Sequence, residues 1–362
     1  MITAAAHRLI GYVGTYTGAG SNGVEVISID SGSGEMRRVS TSAAVSNPSF
    51  IALVGNRRSL YAAIEVDEHD GQSEGAIAAF SMRDGGASLS LLQEVGTGGK
   101  GPCHVAVDQS GSHIAVANYV GGSVSVFEID QRGGFGVRTA FMQHTGRSAH
   151  PSRQEAPHAH SVTFSPGGQA LLVADLGTDR IHIYRYDGVK GVLADDAPIA
   201  VSPGVGPRHL AFDGMGSICY ISYELSSEVA AYRWQESERE LGFLGSWSTR
   251  PGRGTANTVA DIHIAPSGSH VVCSNRGDDT LSIFAVEGDG RELHFLDTVS
   301  SGGRTPRNFT FVEGTDLLVT ANQDSDSLVG FRFKAGSLTP TGYSLSISRP
   351  ACVVFAVPAD SV

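Results

Sequence analysis

A short apolar triplet recurs seven times along the 362-residue chain, and its spacing constrains the fold more than any other feature. The copies are Ile51-Ala52-Leu53, Val105-Ala106-Val107, Val162-Thr163-Phe164, Leu210-Ala211-Phe212, Ile262-His263-Ile264, Phe309-Thr310-Phe311 and Val353-Val354-Phe355, set 54, 57, 48, 52, 47 and 44 residues apart. Five copies are introduced by a proline: Pro48, Pro102, Pro207, Pro306 and Pro350. Proline is tolerated at the first residue of a strand, where it breaks no ladder hydrogen bond. A repeat of about 50 residues built from short strands is the pattern of one four-stranded blade. Seven such units predict an all-β, seven-bladed β-propeller, and no segment carries a helical period of useful length.

The repeat also predicts how the ring closes. The fourth copy shows four strand-like runs, at 208–213, 218–223, 229–234 and 241–248. The seventh, at 351–357, has no partner runs after it, but three unmatched runs stand at the other end, at 9–15, 23–30 and 35–40. The last blade is therefore expected to combine residues 1–42 with 349–362, which removes the free sheet edges of an open ring. Length alone would suggest two or three domains; the repeat predicts one domain over 1–362.

The bulk numbers exclude several classes of partner. A net charge of −11 lacks the basic footprint that nucleic acid or an anionic membrane surface requires. No apolar run reaches the ~18 residues of a spanning helix. The start, Met1 to Ile10, lacks the basic and apolar segments of a signal peptide. Cys103, Cys219, Cys273 and Cys352 fall inside strand patterns with no C-x-x-C pairing, so buried free thiols in a reducing cytoplasm are expected. The expected state is a monomer or a weak homo-oligomer.

In a blade the first strand lines the channel and the second returns antiparallel, so the start of one and the end of the other share a face. Two residues before each triplet stand Ser49, Cys103, His160, Arg208, Ala260, Arg307 and Ala351, and the next slot reads Phe50, His104, Ser161, His209, Asp261, Asn308 and Cys352. The second strands end in Asn118-Tyr119, Asp175-Leu176, Tyr223-Glu224, Asn275-Arg276 and Asn322-Gln323. The Asn or Asp in the first position suits a turn cap. The variable second position, taken with the first-strand slots, brings His160, Arg208, Glu224, Arg276, Arg307 and Gln323 toward one funnel. Three arginines against one carboxylate leave an excess of positive charge that an incoming anion would balance. Their forks suit carboxylate or phosphate. Inter-blade salt bridges bracing the ring are the structural alternative. A 15-residue interruption at 143–157 carries His144, Arg147, His150, Arg153 and Glu155; a loop of that length is either functional or tolerated.

Other motifs carry less. Gly71-Gln72-Ser73-Glu74-Gly75 matches G-x-S-x-G without the strand–turn–helix context that motif needs. His158-Ala159-His160 could offer two metal ligands from one strand face, but no third ligand is signalled. No metal and no other cofactor is expected.

The segments 11–17, 101–107, 153–161, 173–179, 206–210 and 274–277 together resemble the seven-bladed lactonase family, which holds the propeller-type 6-phosphogluconolactonases and the fungal 3-carboxy-cis,cis-muconate cyclases. The resemblance spans nearly the whole chain, and its most specific part is Pro157-His158-Ala159-His160-Ser161. It implies a catalytic group of His160, Arg208, Glu224 and Arg276, the four residues that the collar reading also selects. His104, His158, His209, Arg307, Gln323 and Arg153 are the candidate substrate contacts. The expected reaction is hydrolysis of a small anionic lactone, 6-phosphoglucono-1,5-lactone, with Glu224 or His160 as general base and the other as proton donor. A muconate-type cycloisomerase and a non-catalytic ligand-binding propeller are the competing readings.

Overall fold

The computed structural model describes residues 7–18, 20–54, 58–194, 198–252 and 256–356. Seven antiparallel sheets stand around a central channel. Their innermost strands, from blade one to blade seven, are Pro48–Val54, Pro102–Val107, Ala159–Phe164, Pro207–Phe212, Thr258–Ile264, Pro306–Phe311 and Pro350–Phe355. Each contacts the innermost strand of the next blade, and the last returns to the first. Pro350–Phe355 pairs with Arg8–Thr15, which continues outward through Glu25–Asp30 and Met36–Thr41. The last blade is thus built from both ends, as the repeat predicts; residues 1–6 and 357–362 lie outside the described residues. Among the described residues the only helical elements are three short 3-10 turns, and no helix is long and apolar enough to cross a membrane.

Burial explains which runs become which strands. The second strands Ser59–Ile64, His113–Asn118, Ala170–Asp175, Ile218–Tyr223 and Leu317–Asn322 are buried at all six positions. Each is covered on both faces by neighbouring blades, so its sequence is a near-continuous apolar run, as in Leu60-Tyr61-Ala62-Ala63-Ile64. The outermost strands, such as Phe135–Gln143, are largely exposed. The core is a series of wedges between adjacent sheets; Tyr61, Ile77, Val105, Ile114, Val116 and Phe127 fill the first. Tyrosine pins join three of the seams: Tyr12 to the Gly86 carbonyl, Tyr61 to Gly133 and Tyr220 to Gly290, at 2.9, 3.1 and 2.8 Å.

One backbone irregularity positions the site. In every blade the register slips at the start of the innermost strand, at Pro48/Phe50, Pro102/His104, Ala159/Ser161, Pro207/Leu210, Val259/Ile262, Pro306/Asn308 and opposite Gly14/Thr15. The first-slot residues named above, including His160, Arg208 and Arg307, all fall in these β-bulges. A bulge leaves its extra residue out of the ladder and re-aims its side chain. A second feature, repeated in six of the seven blades, is a backbone hydrogen bond from the residue after the second strand to the residue before the adjoining innermost strand. It recurs as Glu65→Asn47, Tyr119→Gly101, Leu176→His158, Glu224→Gly206, Gln323→Thr305 and Tyr16→Arg349, at 2.7–3.1 Å. Bulge and tether place both slots on the same rim.

Deletion of residues 1–30 removes two strands of the closing blade and exposes two sheet edges. The expected outcome is loss of the cooperative thermal transition, read by circular dichroism, with aggregation in place of a trimmed monomer.

Candidate active site

Glu224 is the centre of the rim. It follows the blade-four second strand, and its backbone N–H donates to the Gly206 carbonyl at 2.7 Å. Gly206 has φ +65, and a Cβ there would lie 2.7 Å from Leu225 Cγ, so this turn requires glycine. The Glu224 side chain is only 2% exposed, yet three guanidiniums reach it. Arg208 Nε lies 3.0 Å and Arg276 Nη2 2.9 Å from Oε2, while Arg153 Nη2 donates to Oε1 at 2.5 Å. The Arg208 Nε contact is a close ion pair without the alignment of a hydrogen bond, and Arg276 Nη2, paired with Glu224, donates to the Val259 carbonyl at 3.3 Å. Burial acts to raise the Glu224 pKa, but Arg276, Arg208 and Arg153 outweigh it and bring it to about 2. One carboxylate against three guanidiniums leaves two positive charges in excess.

The three arginines differ in access. Arg208 is 2% exposed and its Nη1 is committed to the Ala260 carbonyl at 2.7 Å and to His209 Nε2 at 3.1 Å. Burial, followed by repulsion from Arg276, lowers its pKa to about 10. Arg276 and Arg153 keep 15% and 36% of their side chains open and face the funnel. Arg208 therefore braces the carboxylate from beneath, and the other two stay partly open to solvent.

His160 stands on the same side, with Nε2 4.0 Å from Glu224 Oε2 and Nδ1 buried without a hydrogen-bond partner. Burial, then the Arg208 charge, holds its pKa well below the usual histidine range. Burial thus favours a neutral His160, which keeps one ring N–H and one lone pair, and Glu224 at about 2 is a weak base held ionised by its cations.

Below lies a layer of rings. His209 meets His104 and His160 edge-on at 5.2 and 5.3 Å, and His104 stacks on Phe50 at 4.0 Å. His209 Nδ1 donates to Asp261 Oδ1 at 2.7 Å, which leaves Nε2 as the acceptor for Arg208. Burial, then Arg208, lowers the His209 pKa to about 4, so it is neutral. Asp261 also accepts from His263 and Asn308, at 3.0 and 2.5 Å, and Asn308 Oδ1 accepts from the Val353 N–H at 2.8 Å. A continuous polar chain thus links the innermost strands of blades four to seven beneath the arginines.

The 143–157 interruption delivers Arg153. His144 Nδ1 bonds Asp175 Oδ2 at 2.6 Å, and the fully buried Gln154 donates to the Leu176 carbonyl at 2.8 Å. His158 stacks on Tyr119 and bonds its carbonyl at 3.0 Å, so it positions the rim next to Arg153, whose Nη2 also reaches the Tyr119 hydroxyl at 3.3 Å. His144, Asp175 and His182 are the one group with clustered metal-type donors among the described residues. The two imidazoles stack at 3.7 Å with 21° between planes, so their in-plane lone pairs run side by side. Asp175 is already occupied by His144 and by the backbone N–H groups of His158 and Thr178. That arrangement anchors the loop and is not shaped to converge on an ion.

Two expected residues do not join Glu224. Gln323 lies in a 3-10 turn and donates to its neighbour Asp324 at 3.1 Å. Arg307 lies over the ring of Tyr16, which has the Glu65 carboxylate on its hydroxyl at 2.7 Å. Tyr16 and Glu65 are absent from the sequence reading, although Thr15-Tyr16 and Ile64-Glu65 occupy the slot of Tyr223-Glu224 in blades seven and one. Extending the second-strand comparison to all blades finds them.

The Glu224 ion pairs predict an acid-dependent stability. Its pKa is about 2 in the folded chain against the ordinary 4.5 of a glutamate. The stabilisation, about 3 kcal/mol, is present above pH 4.5 and is lost as pH falls toward 2. Glu224→Gln is expected to lower Tm at neutral pH, and the gap to wild type should shrink below pH 4.5 in thermal melts taken across pH.

Comparison with known proteins agrees with the seven-sheet fold. Residues 10–355 match the family described as lactonase, 7-bladed beta-propeller. A 6-phosphogluconolactonase of Bacillus subtilis (strain 168) is 33% identical over 351 residues, covering 96% of this chain and 98% of that protein. A 6-phosphogluconolactonase of Formosa agariphila is 33% identical, covering 89% and 91%. The structure of a periplasmic gluconolactonase of Pseudomonas aeruginosa superposes with a TM-score of 0.89 at 30% identity, covering 97% and 99%. A match over nearly the whole chain, joined to the seven-sheet ring, places this chain in the seven-bladed β-propeller lactonase family.

Proposed function

We propose that the chain hydrolyses 6-phosphoglucono-1,5-lactone to 6-phosphogluconate at the Glu224 rim. The observation that carries this reading is the excess of guanidinium over carboxylate around Glu224, beside a neutral imidazole, in a chain of net charge −11. The names of the B. subtilis and F. agariphila relatives support it. The four buried free thiols and a phosphorylated substrate fit a reducing cytoplasm.

The lactone carbonyl oxygen accepts from Arg276 and Arg153, the two guanidiniums open to the funnel. Charge that develops on that oxygen is stabilised by donors already in place. Water attacks the carbonyl carbon from the gap between His160 Nε2 and Glu224 Oε2, whose 4.0 Å one water can bridge. Neutral His160 takes the water proton as the carbon–oxygen bond forms. The tetrahedral species collapses, the ring carbon–oxygen bond breaks, and His160 returns the proton to the departing ring oxygen. Glu224 stays ionised and holds the guanidiniums. Arg208, His209 and Asp261 position it from beneath.

Steady-state assay of the purified protein, with a buffer blank subtracted at every pH, tests the assignment. Arg276→Ala is expected to lower kcat/KM by about 2–4 kcal/mol, with poor rescue by lysine because a point charge lacks the fork. If Arg276 only braces the ring, Tm falls and turnover persists. His160 must be neutral to act, so activity is expected to persist at pH 6 and to fall only where the lowered His160 pKa is crossed. His160→Asn should remove that acid limb along with most of the turnover.

A further inference from the structure

Opposite Glu224, on the rim of blades six, seven and one, stands a second cationic cluster that the proposed chemistry leaves unused. Tyr16 occupies on blade seven the slot that Glu224 occupies on blade four, tethered through its N–H to the Arg349 carbonyl at 3.1 Å. Two guanidiniums lie against its ring, Arg307 with Cζ 5.3 Å and Arg349 with Cζ 5.2 Å from the centroid. Among the described residues neither guanidinium forms an ion pair or a hydrogen bond with a carboxylate. Glu65 accepts the Tyr16 hydroxyl at 2.7 Å and acts on Arg307 only at longer range. Asp326 takes the backbone N–H of Arg349 at 2.8 Å, not its side chain.

The placement of Arg349 is uncommon for an arginine. It has φ +43, the left-handed region, at the slot where other blades carry Asn47, Gly101, Gly206 and Thr305, also at positive φ. Asn and Gly adopt that conformation more readily than a long side chain. Its guanidinium lies against the same ring as that of Arg307. Arg307 also borders, with Arg208, Ser49 and Cys103, one small cavity of about 10 Å³ in the channel, so the two cationic clusters are neighbours in one funnel.

We propose that Arg307 and Arg349, both held against the ring of Tyr16, seat a phosphate monoester, so that the chain prefers a lactone bearing a phosphate at the end away from its carbonyl. Two planar forks without a carboxylate match the three oxygens and double charge of a phosphate better than the hydroxyls of an unphosphorylated sugar. The Tyr16 ring gives both guanidiniums a stacking surface, and its hydroxyl is taken by Glu65. The inference rests on the lactonase reading only for the orientation of the ligand, carbonyl to Glu224 and phosphate to Arg349.

Calorimetric titration of the full chain with 6-phosphogluconate and with gluconate reads the seat without turnover. The wild type is expected to bind 6-phosphogluconate at least about 30-fold more tightly, and inorganic phosphate should compete. Arg349→Gln, at an exposed side chain whose loss leaves the fold intact, should narrow the gap about 10-fold, and Arg307→Gln with Arg349→Gln should nearly close it. Equal wild-type affinity for the two acids, or a gap unchanged in Arg349→Gln, overturns the seat. Kinetics with 6-phosphoglucono-1,5-lactone and glucono-1,5-lactone separate the two proposals. Selective binding of 6-phosphogluconate with neither lactone opened refutes the hydrolase and supports the seat. Equal turnover of both lactones, undisturbed by Arg349→Gln, supports the hydrolase and refutes the seat.

Discussion

The site depends on one buried carboxylate that cannot be left alone. Glu224 is almost sealed from water, where an isolated carboxylate would protonate or unfold its surroundings. It stays ionised because Arg208, Arg276 and Arg153 arrive from three separate elements: its own blade, the next blade and the loop before blade three. The converse also holds. Three guanidiniums could not crowd one rim without the anion between them, and loss of one partner from a buried pair is far more costly than the net worth of the pair. The brace and site readings of these charges are therefore one arrangement. Arg208, with its Nη1 on the Ala260 carbonyl and His209, does mostly the bracing, and the two more open guanidiniums are those proposed to meet the ligand.

The propeller makes this arrangement affordable in structural terms. Stability is spread over wedges between blades, so no single seam needs the rim to be apolar. Each innermost strand begins with a bulge, and a bulge residue has no ladder partner to satisfy. Its side chain is free to vary from blade to blade: small at Ser49, Ala260 and Ala351, and functional at His160, Arg208 and Arg307. Underneath, the Asp261 hydrogen bonds to His209, His263 and Asn308 tie four blades together. They also fix the His209 tautomer that accepts from Arg208. Rim chemistry and ring closure share this polar floor.

The periodic part of the structure was legible because periodicity survives in one dimension. The triplets marked the innermost strands, the unmatched runs at 9–15, 23–30 and 35–40 marked the closing blade, and slot alignment brought His160, Arg208, Glu224 and Arg276 to one face. What stayed hidden depends on distances in the closed ring. Nothing local in Pro157-His158-Ala159-His160 says that His160 is neutral; that follows from burial beside Arg208. The aim of Arg153 follows from His144 and Gln154 meeting Asp175 and Leu176 across the loop. Gln323 matched the slot pattern, but its 3-10 turn directs it to Asp324. Tyr16 and Glu65 were within reach of the same alignment, had the second-strand comparison been carried around the whole ring.

The charge distribution gives the funnel a direction. The chain carries a net charge of −11, whereas around Glu224 three guanidiniums meet one carboxylate. A charged cleft of sign opposite to its surroundings focuses the field toward its mouth. Within that mouth the two poles are unlike. At Glu224 the guanidiniums are already partly neutralised, which suits a carbonyl oxygen whose charge appears only as the reaction proceeds. At Tyr16 the guanidiniums face no carboxylate at close range, which suits a group that is charged throughout. A ligand with a permanent anion at one end and a latent oxyanion at the other would satisfy both poles in a single orientation, and only in that orientation would its reacting carbon lie beside neutral His160.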